Sequence, residues 1–342
     1  MPAVAAGRVL VTGVNGYIGL WVARVLLERG YAVRGTIRSE GKAQHIRQLF
    51  KSFGERFETV VVPDITKAGA FDEAVQGVDA VEHTASPYHF KAGDPDELIV
   101  PALHGTTRML ESTLAYGTNV KRVVITSSVA AVMQTQATPR VFTEADWNDS
   151  SIVEVREKGA QASQAGKYRA SKTLAERAAW EFVEKNKGSI GWDLVVLNPP
   201  MVFGPAIHEV GAPEALNESM HNWFHSVFRG SQDPKQLGTL GMAWVDVRDL
   251  ADAHALALEK EEAGGNRIIV ASGPYKWQDW INAARAVGAP APLGDQSYDP
   301  AKAVHMLNFD NSKSIQLLGL KYRGFQETTS DIVEDFKGRG WL

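Results

Sequence analysis

Tyr168 and Lys172 stand four residues apart in a stretch, Gln164 to Lys187, whose pattern predicts a helix, so the two side chains share one face. Ser127 and Ser128 follow an unbroken apolar run earlier in the chain, and Gly13, Gly16 and Gly19 punctuate a turn near its beginning. A phenol can give a proton to a carbonyl oxygen. A free phenol titrates near ~10, and lowering that by about three units takes roughly 4 kcal/mol of preferential stabilisation of the phenolate. Lys172 is the nearest source in sequence, and its ammonium can also bond a nicotinamide ribose. A serine hydroxyl at a strand end would bond the same carbonyl oxygen and orient it. The set suits hydride transfer to or from a carbonyl, with a nicotinamide dinucleotide supplying the hydride and the protein the proton. A lone Tyr-x-x-x-Lys is more often a surface pair; the order of glycine turn, T-S-S and Y-x-x-x-K along one chain is what points to chemistry.

The elements that must position these residues read as alternating strands and helices. Val9 to Leu20, V-L-V-T-G-V-N-G-Y-I-G-L, gives a strand, a glycine turn and a helix whose buried stripe is Ile18, Val22, Val25 and Leu26. At such a turn the backbone bends sharply and comes close to a ligand, and the free N–H groups of the helix start favour a phosphate. The spacing is G-x-x-G-x-x-G and not the G-x-G-x-x-G of the usual dinucleotide fingerprint. A second strand, Tyr31 to Ile37, carries no acid, while Arg38 and Lys42 follow it; an arginine there favours a ribose 2′-phosphate and hence NADPH over NADH, with Glu40 the dissenting residue.

Further strands are predicted over Phe57 to Val62, Val78 to His83, Lys121 to Thr126 and Trp192 to Leu197, with a long helix from about Pro95 to Tyr116. The Val/Ile run before Ser127 suggests burial on both faces, as in a parallel sheet. Asp64 follows the third strand, placed either to accept from an adenine amine or to cap the next turn, and the small residues Thr84 to Pro87 would let a cofactor lie against the sheet edge. The alternation predicts a doubly wound α/β (Rossmann) domain over residues 1–200, with its ligand crevice at the carboxyl ends of the strands. Asn198-Pro199-Pro200 ends the sixth strand, and from Met201 to Leu240 the pattern is irregular apart from an amphipathic segment, Glu214 to Arg229. Residues 201–342 read as mainly a smaller α+β lid for substrate, with some elements returning to the first domain.

Composition bounds the partners. The chain has 342 residues, 44% of them hydrophobic, with a formal charge of −4 and its Lys and Arg spread along the chain, which argues against a nucleic-acid or anionic-membrane partner. The absence of cysteine removes disulfides, thiolate metal sites and a cysteine nucleophile. The N-terminus lacks a secretory pattern and no run approaches a membrane span, so a cytoplasmic protein is expected and the sequons at Asn148 and Asn217 read as chance matches. His221 and His225 have metal-binding spacing but no H-E-x-x-H pattern or third ligand, so no metal is expected.

These residues carry a resemblance over nearly the whole chain. T-G-V-N-G-Y-I-G at 12–19, V-P-D-I at 62–65, H-T-A-S-P at 83–87, V-V-I-T-S-S at 123–128, Y-x-x-S-K at 168–172, N-P-P-M-V-F-G-P at 198–205 and W-V-D-V-R-D at 244–249 resemble the extended short-chain dehydrogenases/reductases. Within them it more narrowly resembles the fungal aldehyde and methylglyoxal reductases and the plant dihydroflavonol reductases. It implies catalytic roles for Ser128, Tyr168 and Lys172, and the choice of Ser128 over Ser127 rests on it alone. For the cofactor it implies Gly13, Asn15, Gly16, Tyr17, Ile18 and Gly19 at the turn, and Arg38 at the 2′-phosphate, where the residue reading also places Lys42. Asp64 and Ile65 would lie near the adenine, Thr84, Ala85 and Ser86 along the sheet edge, and Tyr168, Lys172 and Pro199 at the nicotinamide end.

Two departures from the family stand out. P-A-L-H-G-T-T at 101–107 lacks the asparagine that many members use to hold a proton-relay water, which leaves a relay through Lys172 and the ribose. Met133 stands where flavonoid reductases carry a polar reader of substrate hydroxyls, and a thioether cannot donate to a phenol. With Met201, Trp223 and Phe224 as further walls, the pocket is expected to be apolar and suited to modest aldehydes and ketones, aryl or α-keto compounds included. The other reading of the aromatic cluster is lid core. The expected activity is an NADPH-dependent carbonyl reductase, monomeric or homodimeric. The alternatives are an NAD-dependent nucleotide-sugar epimerase or dehydratase, and a dinucleotide-sensing regulator without turnover.

Overall fold

Short apolar segments separated by helices pair in parallel here because each crossover helix returns the chain to the same end of the sheet. The computed structural model describes Val4, residues 6–86 and residues 91–342. In chain order the first elements are β1 (Arg8–Thr12), α1 (Tyr17–Glu28), β2 (Ala32–Ile37), α2 (Ala43–Leu49), β3 (Phe57–Val61), β4 (Ala80–His83), α3 (Asp96–Tyr116) and β5 (Arg122–Thr126). There follow β6 (Arg140–Phe142), α4 (Asp149–Lys158), α5 (Gln164–Lys185), β7 (Asp193–Asn198), β8 (Met201–Phe203), α6 (Glu218–Phe228) and α7 (Pro234–Leu237). The last are β9 (Ala243–Asp246), α8 (Val247–Glu259), β10 (Arg267–Ile269), β11 (Gly273–Pro274), α9 (Trp277–Ala286), β12 (Leu307–Phe309) and α10 (Phe325–Gly338).

Seven strands form one sheet in the order β10-β7-β5-β4-β1-β2-β3, and every pairing in it is parallel. This is the doubly wound α/β architecture that the strand pattern predicts. Strand alternation sends Val9 and Val11 into one buried layer and Leu10 into the other. The same split separates Val195 and Leu197 from Leu194 and Val196, so the sheet is buried on both faces. Helices α3 and α5 pack on each other over one face, and α1 packs on α8 over the other.

The stretch directly after Pro200 is more regular than its sequence pattern indicates. Met201 to Phe203 resumes as β8 directly after the prolines and pairs parallel to β9, which β11 joins antiparallel. The prolines end the ladder of β7, and the apolar Met-Val-Phe that follows passes into a second, three-stranded sheet in the order β11-β9-β8. A further parallel pair joins β6 to β12, too short and too exposed (Val141 is 59% exposed) to leave a periodic signal. Elements from both halves interleave: β10 extends the main sheet beside β7, and α8 covers its α1 face.

Candidate functional site

The first turn of α1 supplies one end of the site. Gly13 has φ +67°, a left-handed conformation that suits glycine, and a Cβ there would meet the Ala85 Cβ at 3.1 Å. A Cβ on Gly19 would sit 2.6 Å from the Gly13 carbonyl oxygen and 2.7 Å from Thr84 Oγ1. No side chain caps the N-terminus of α1, so its first-turn N–H groups are left to an outside acceptor. The cradle is held from β4: Thr84 Oγ1 donates to the Thr12 carbonyl at 2.6 Å, and the Ala85 N–H donates to Thr12 Oγ1 at 3.1 Å. These features fit an anionic pyrophosphate approaching the backbone.

Strand alternation at the end of β5 organises the opposite end. Thr126 points to the α8 face, where Oγ1 bonds His254 Nε2 at 3.0 Å and His254 Nδ1 meets Glu82 Oε2 at 2.6 Å. Ser127 points to the α5 face and donates to Glu176 Oε2 at 2.5 Å, an oxygen that also accepts from Asn198 Nδ2 at 2.8 Å. Arg267 Nε donates to Glu176 Oε1 at 2.5 Å. Asn198 Nδ2 further reaches the Ser128 carbonyl at 3.1 Å. The two residues before Ser128 are thus tied to buried acids on opposite sides of the sheet. Ser128 itself is 8% exposed; its Oγ accepts from the Ala130 N–H at 3.1 Å and donates at 3.3 Å to the Pro199 carbonyl.

Tyr168 and Lys172 rise from α5 into the same cleft, and the Lys172 ammonium lies 6.0 Å from the centre of the Tyr168 ring. Lys172 Nζ donates to Ser86 Oγ at 2.8 Å. Burial pulls the ammonium down to about 8, against the pull of the Glu176 carboxylate. The neighbouring His83 is brought down to about 3 by burial and by Lys172, so it is neutral, and its Nδ1 bonds Thr12 Oγ1 at 2.9 Å.

One cleft of about 300 Å³ joins the two ends. It is lined at the turn by Gly13, Gly16, Tyr17, Ile18, Gly19 and Thr84, and at the far end by Ser86, Ser128, Tyr168, Lys172 and Pro199. Met133, Met201 and Met242 supply apolar wall, and Asn217 and Ser219 come from the start of α6. Tyr17 Oη donates to the Gly204 carbonyl at 2.8 Å, so its phenol serves to hold the loop after β8. Asn15 is half-buried in the turn.

Other predicted contacts lie away from this cleft. Arg38 and Lys42 are exposed beyond the end of β2. Glu40 pairs with Arg47. Asp64 caps its own turn, accepting from the Thr66 N–H at 2.9 Å and Thr66 Oγ1 at 2.6 Å. Those bonds hold its carboxyl below the usual range, with smaller help from Lys67 and Arg38. Ile65 is directed at α3, where a Cβ on Gly105 would meet its Cδ1 at 2.7 Å. Pro87 lies outside the described residues.

The expectation for Trp223 and Phe224 as pocket walls is corrected. Both are fully buried in the main core, Trp223 5.9 Å from the Trp280 ring and Phe224 5.3 Å from the Phe336 ring. The apolar stripe of α6 faces α9 and α10, and only its N-terminal residues reach the cleft. The rings of His221 and His225 lie with centres 4.2 Å apart at a tilt of 43°, and among the described residues there is no group of three or more potential metal ligands. Glu176 escaped the sequence reading, although Tyr168, Lys172 and Glu176 repeat every four residues along one helix face.

Comparison with known proteins agrees with this geometry. The pattern described as the NAD dependent epimerase/dehydratase family matches residues 9–271. The Aspergillus niger protein named ketoreductase azaE is 36% identical over 342 residues, covering 96% of this chain and 97% of that protein. The Saccharomyces cerevisiae NADPH-dependent methylglyoxal reductase GRE2 is 34% identical over 347 residues, covering 97% and 99%. The crystal structure of yeast methylglyoxal/isovaleraldehyde reductase Gre2 complexed with NADPH superposes with a TM-score of 0.86 at 32% identity, covering 98% of this chain and 100% of that one. With the glycine cradle and the Tyr168–Lys172 pair opening on a single cleft, and a match that runs through nearly the whole chain, this protein belongs to the NAD dependent epimerase/dehydratase family, the extended short-chain dehydrogenases/reductases.

Proposed function

We propose that the protein is an NADPH-dependent reductase of small aldehydes and ketones, with Tyr168 as proton donor. The observation that carries this reading is the convergence of Ser128, Tyr168 and Lys172 on the cleft that begins at the glycine turn. The dinucleotide, when bound, supplies a hydride to the carbonyl carbon. Gly13, Gly16 and Gly19 with the first turn of α1 would hold its pyrophosphate, and Lys172 with Ser86 its nicotinamide end. Tyr168 gives its phenolic proton to the oxygen that gains negative charge. Lys172, protonated below about 8, opposes the charge left on the phenolate. The Ser128 hydroxyl, now on the Pro199 carbonyl at a long 3.3 Å, turns to the substrate oxygen and fixes its orientation.

The cofactor preference rests on Arg38 in this proposal. It stands exposed beyond β2, while the acid that would compete for that place, Glu40, is engaged by Arg47. On the substrate side, Met133, Met201 and Met242 make a deformable apolar wall, which suits carbonyls with alkyl or aryl substituents. The named substrates of the yeast relative, methylglyoxal and isovaleraldehyde, fall within that class.

The test is a panel of aldehydes, ketones and α-dicarbonyls incubated with purified protein and NADPH, followed by loss of the reduced cofactor. Oxidation of NADPH at least about tenfold faster than of NADH at limiting cofactor is expected, as the loss of roughly one charge-assisted contact implies. A protein that purifies with tightly held NAD and oxidises NADPH with none of the panel would contradict the proposal.

A further inference from the structure

Lys172 and Glu176 lie one turn apart on α5, yet each is bonded to other groups: Lys172 Nζ to Ser86 Oγ, and both Glu176 oxygens to Ser127, Asn198 and Arg267. Between them is a small cavity of about 10 Å³, room for the centre of about one water molecule. Its polar lining is Lys172, Glu176, Ser86, Ser127, Thr106 and His83, and Ala85, Ile125 and Ala175 supply apolar wall. A site of that size with several polar partners suits an ordered water, whereas apolar cavities stay dry. Glu176 Oε2 accepts from the neutral donors Ser127 and Asn198, which fill its two lone-pair sites, while Oε1 accepts from Arg267 Nε alone and keeps capacity for a further donor.

We propose that one water in this cavity bridges the Lys172 ammonium to the Glu176 carboxylate, making Glu176 the positioning residue that keeps Lys172 charged beside Tyr168. The inference rests on the reading of Tyr168 and Lys172 as proton donor and charge partner. Of the groups that face Lys172 among the described residues, β4 brings neutral His83, α3 the Thr106 hydroxyl, and the turn after β5 the Ser127 hydroxyl, while the Thr126 hydroxyl is held on the opposite face by His254. The loop after β4 brings Ser86, and α5 itself brings Tyr168, Arg169 and Glu176. Glu176 is therefore the one described carboxylate on this cavity, and the mechanism has not otherwise used it.

The experiment is the pH dependence of kcat/KM for carbonyl reduction by the wild type, Glu176→Gln and Thr106→Val, with melting temperature and NADPH Kd measured alongside. The wild type is expected to lose activity as pH rises through about 8. Glu176→Gln keeps the shape of the side chain and removes its charge, so its alkaline limb should move to lower pH by about one unit. Thr106→Val keeps both charges and removes one partner of the water, so its limb should move the same way by less. A Glu176→Gln protein that is slower by the same factor at every pH, with its limb unmoved, overturns the proposal. A folded Thr106→Val protein with the wild-type profile overturns the water bridge, and that arm holds even if Glu176→Gln does not fold. A wild type that reduces no carbonyl with NADPH would instead remove the reading on which the inference stands.

Discussion

Lys172 is held in a charged form that its surroundings disfavour. Its unfolded form keeps a proton up to its ordinary 10.5, whereas burial in the folded protein lowers the value to about 8. Below about 8 both forms are charged and the folded state bears the full penalty; between about 8 and 10.5 the unfolded state binds more protons, so this group makes stability rise with pH. Lys172→Met is therefore expected to melt above the wild type at pH 7 in the absence of cofactor, with the difference gone above pH 10.5, while losing activity. A variant that melts below the wild type at pH 7 would show that the burial penalty is not there. Arg38 gives a second residue-scale prediction: Arg38→Ala should raise the KM for NADPH by roughly ten- to a hundredfold and leave that for NADH nearly unchanged. Equal changes for both cofactors would remove Arg38 from the 2′-phosphate. Tyr168 and Lys172 were legible because their spacing on a helix, after a glycine turn and a T-S-S strand end, restricts their chemistry, whereas Ser128 was told from Ser127 only by the family resemblance. Glu176 was not legible, because a helical glutamate usually faces solvent and its burial depends on Arg267, ninety-one residues later.

At the scale of elements, the glycine turn shows how a spacing that departs from the usual fingerprint still gives a tight strand-to-helix turn whose uncapped helix start fits a phosphate. The close approach that excludes a side chain is at Gly19, whose Cβ would fall 2.6 Å from the Gly13 carbonyl and 2.7 Å from Thr84 Oγ1. Gly19→Ala is expected to weaken NADPH binding by at least about tenfold in a protein that still folds, since the turn must open to admit the methyl group. Titration of NADPH fluorescence checks this, and an unchanged Kd would show that the turn does not hold the cofactor. Strands β1, β5 and β7 were readable because burial on both faces leaves unbroken apolar runs, and β2 by its alternation; the predicted limits differ from those observed by no more than two residues. Strands β6, β8, β11 and β12 were not, because two or three residues carry no period and their pairing is set by distant partners.

At the scale of the whole molecule, the C-terminal half supplies structure to both ends of the fold. Its strand β10 extends the main sheet and brings Arg267 to Glu176, and its helix α8 brings His254 to Thr126. The aromatic stripe of α6 belongs to this packing: Trp223→Ala should destabilise the protein by roughly 3–5 kcal/mol in denaturant unfolding, with relative kcat/KM values across the substrate panel unchanged. A changed substrate ranking at wild-type stability would return Trp223 to the pocket wall. Sequence periodicity gave the stripe but not its direction, since nothing in one helix says whether a cleft or a second helix lies opposite. The central claim is that Tyr168 gives the proton while the rest of the cleft binds. Stopped-flow reduction of an aldehyde by Tyr168→Phe, with NADPH Kd measured on the same protein, tests it most directly. A loss of about a hundredfold or more in the hydride-transfer rate with Kd within a few-fold of the wild type is the predicted result, and a rate near that of the wild type would contradict it.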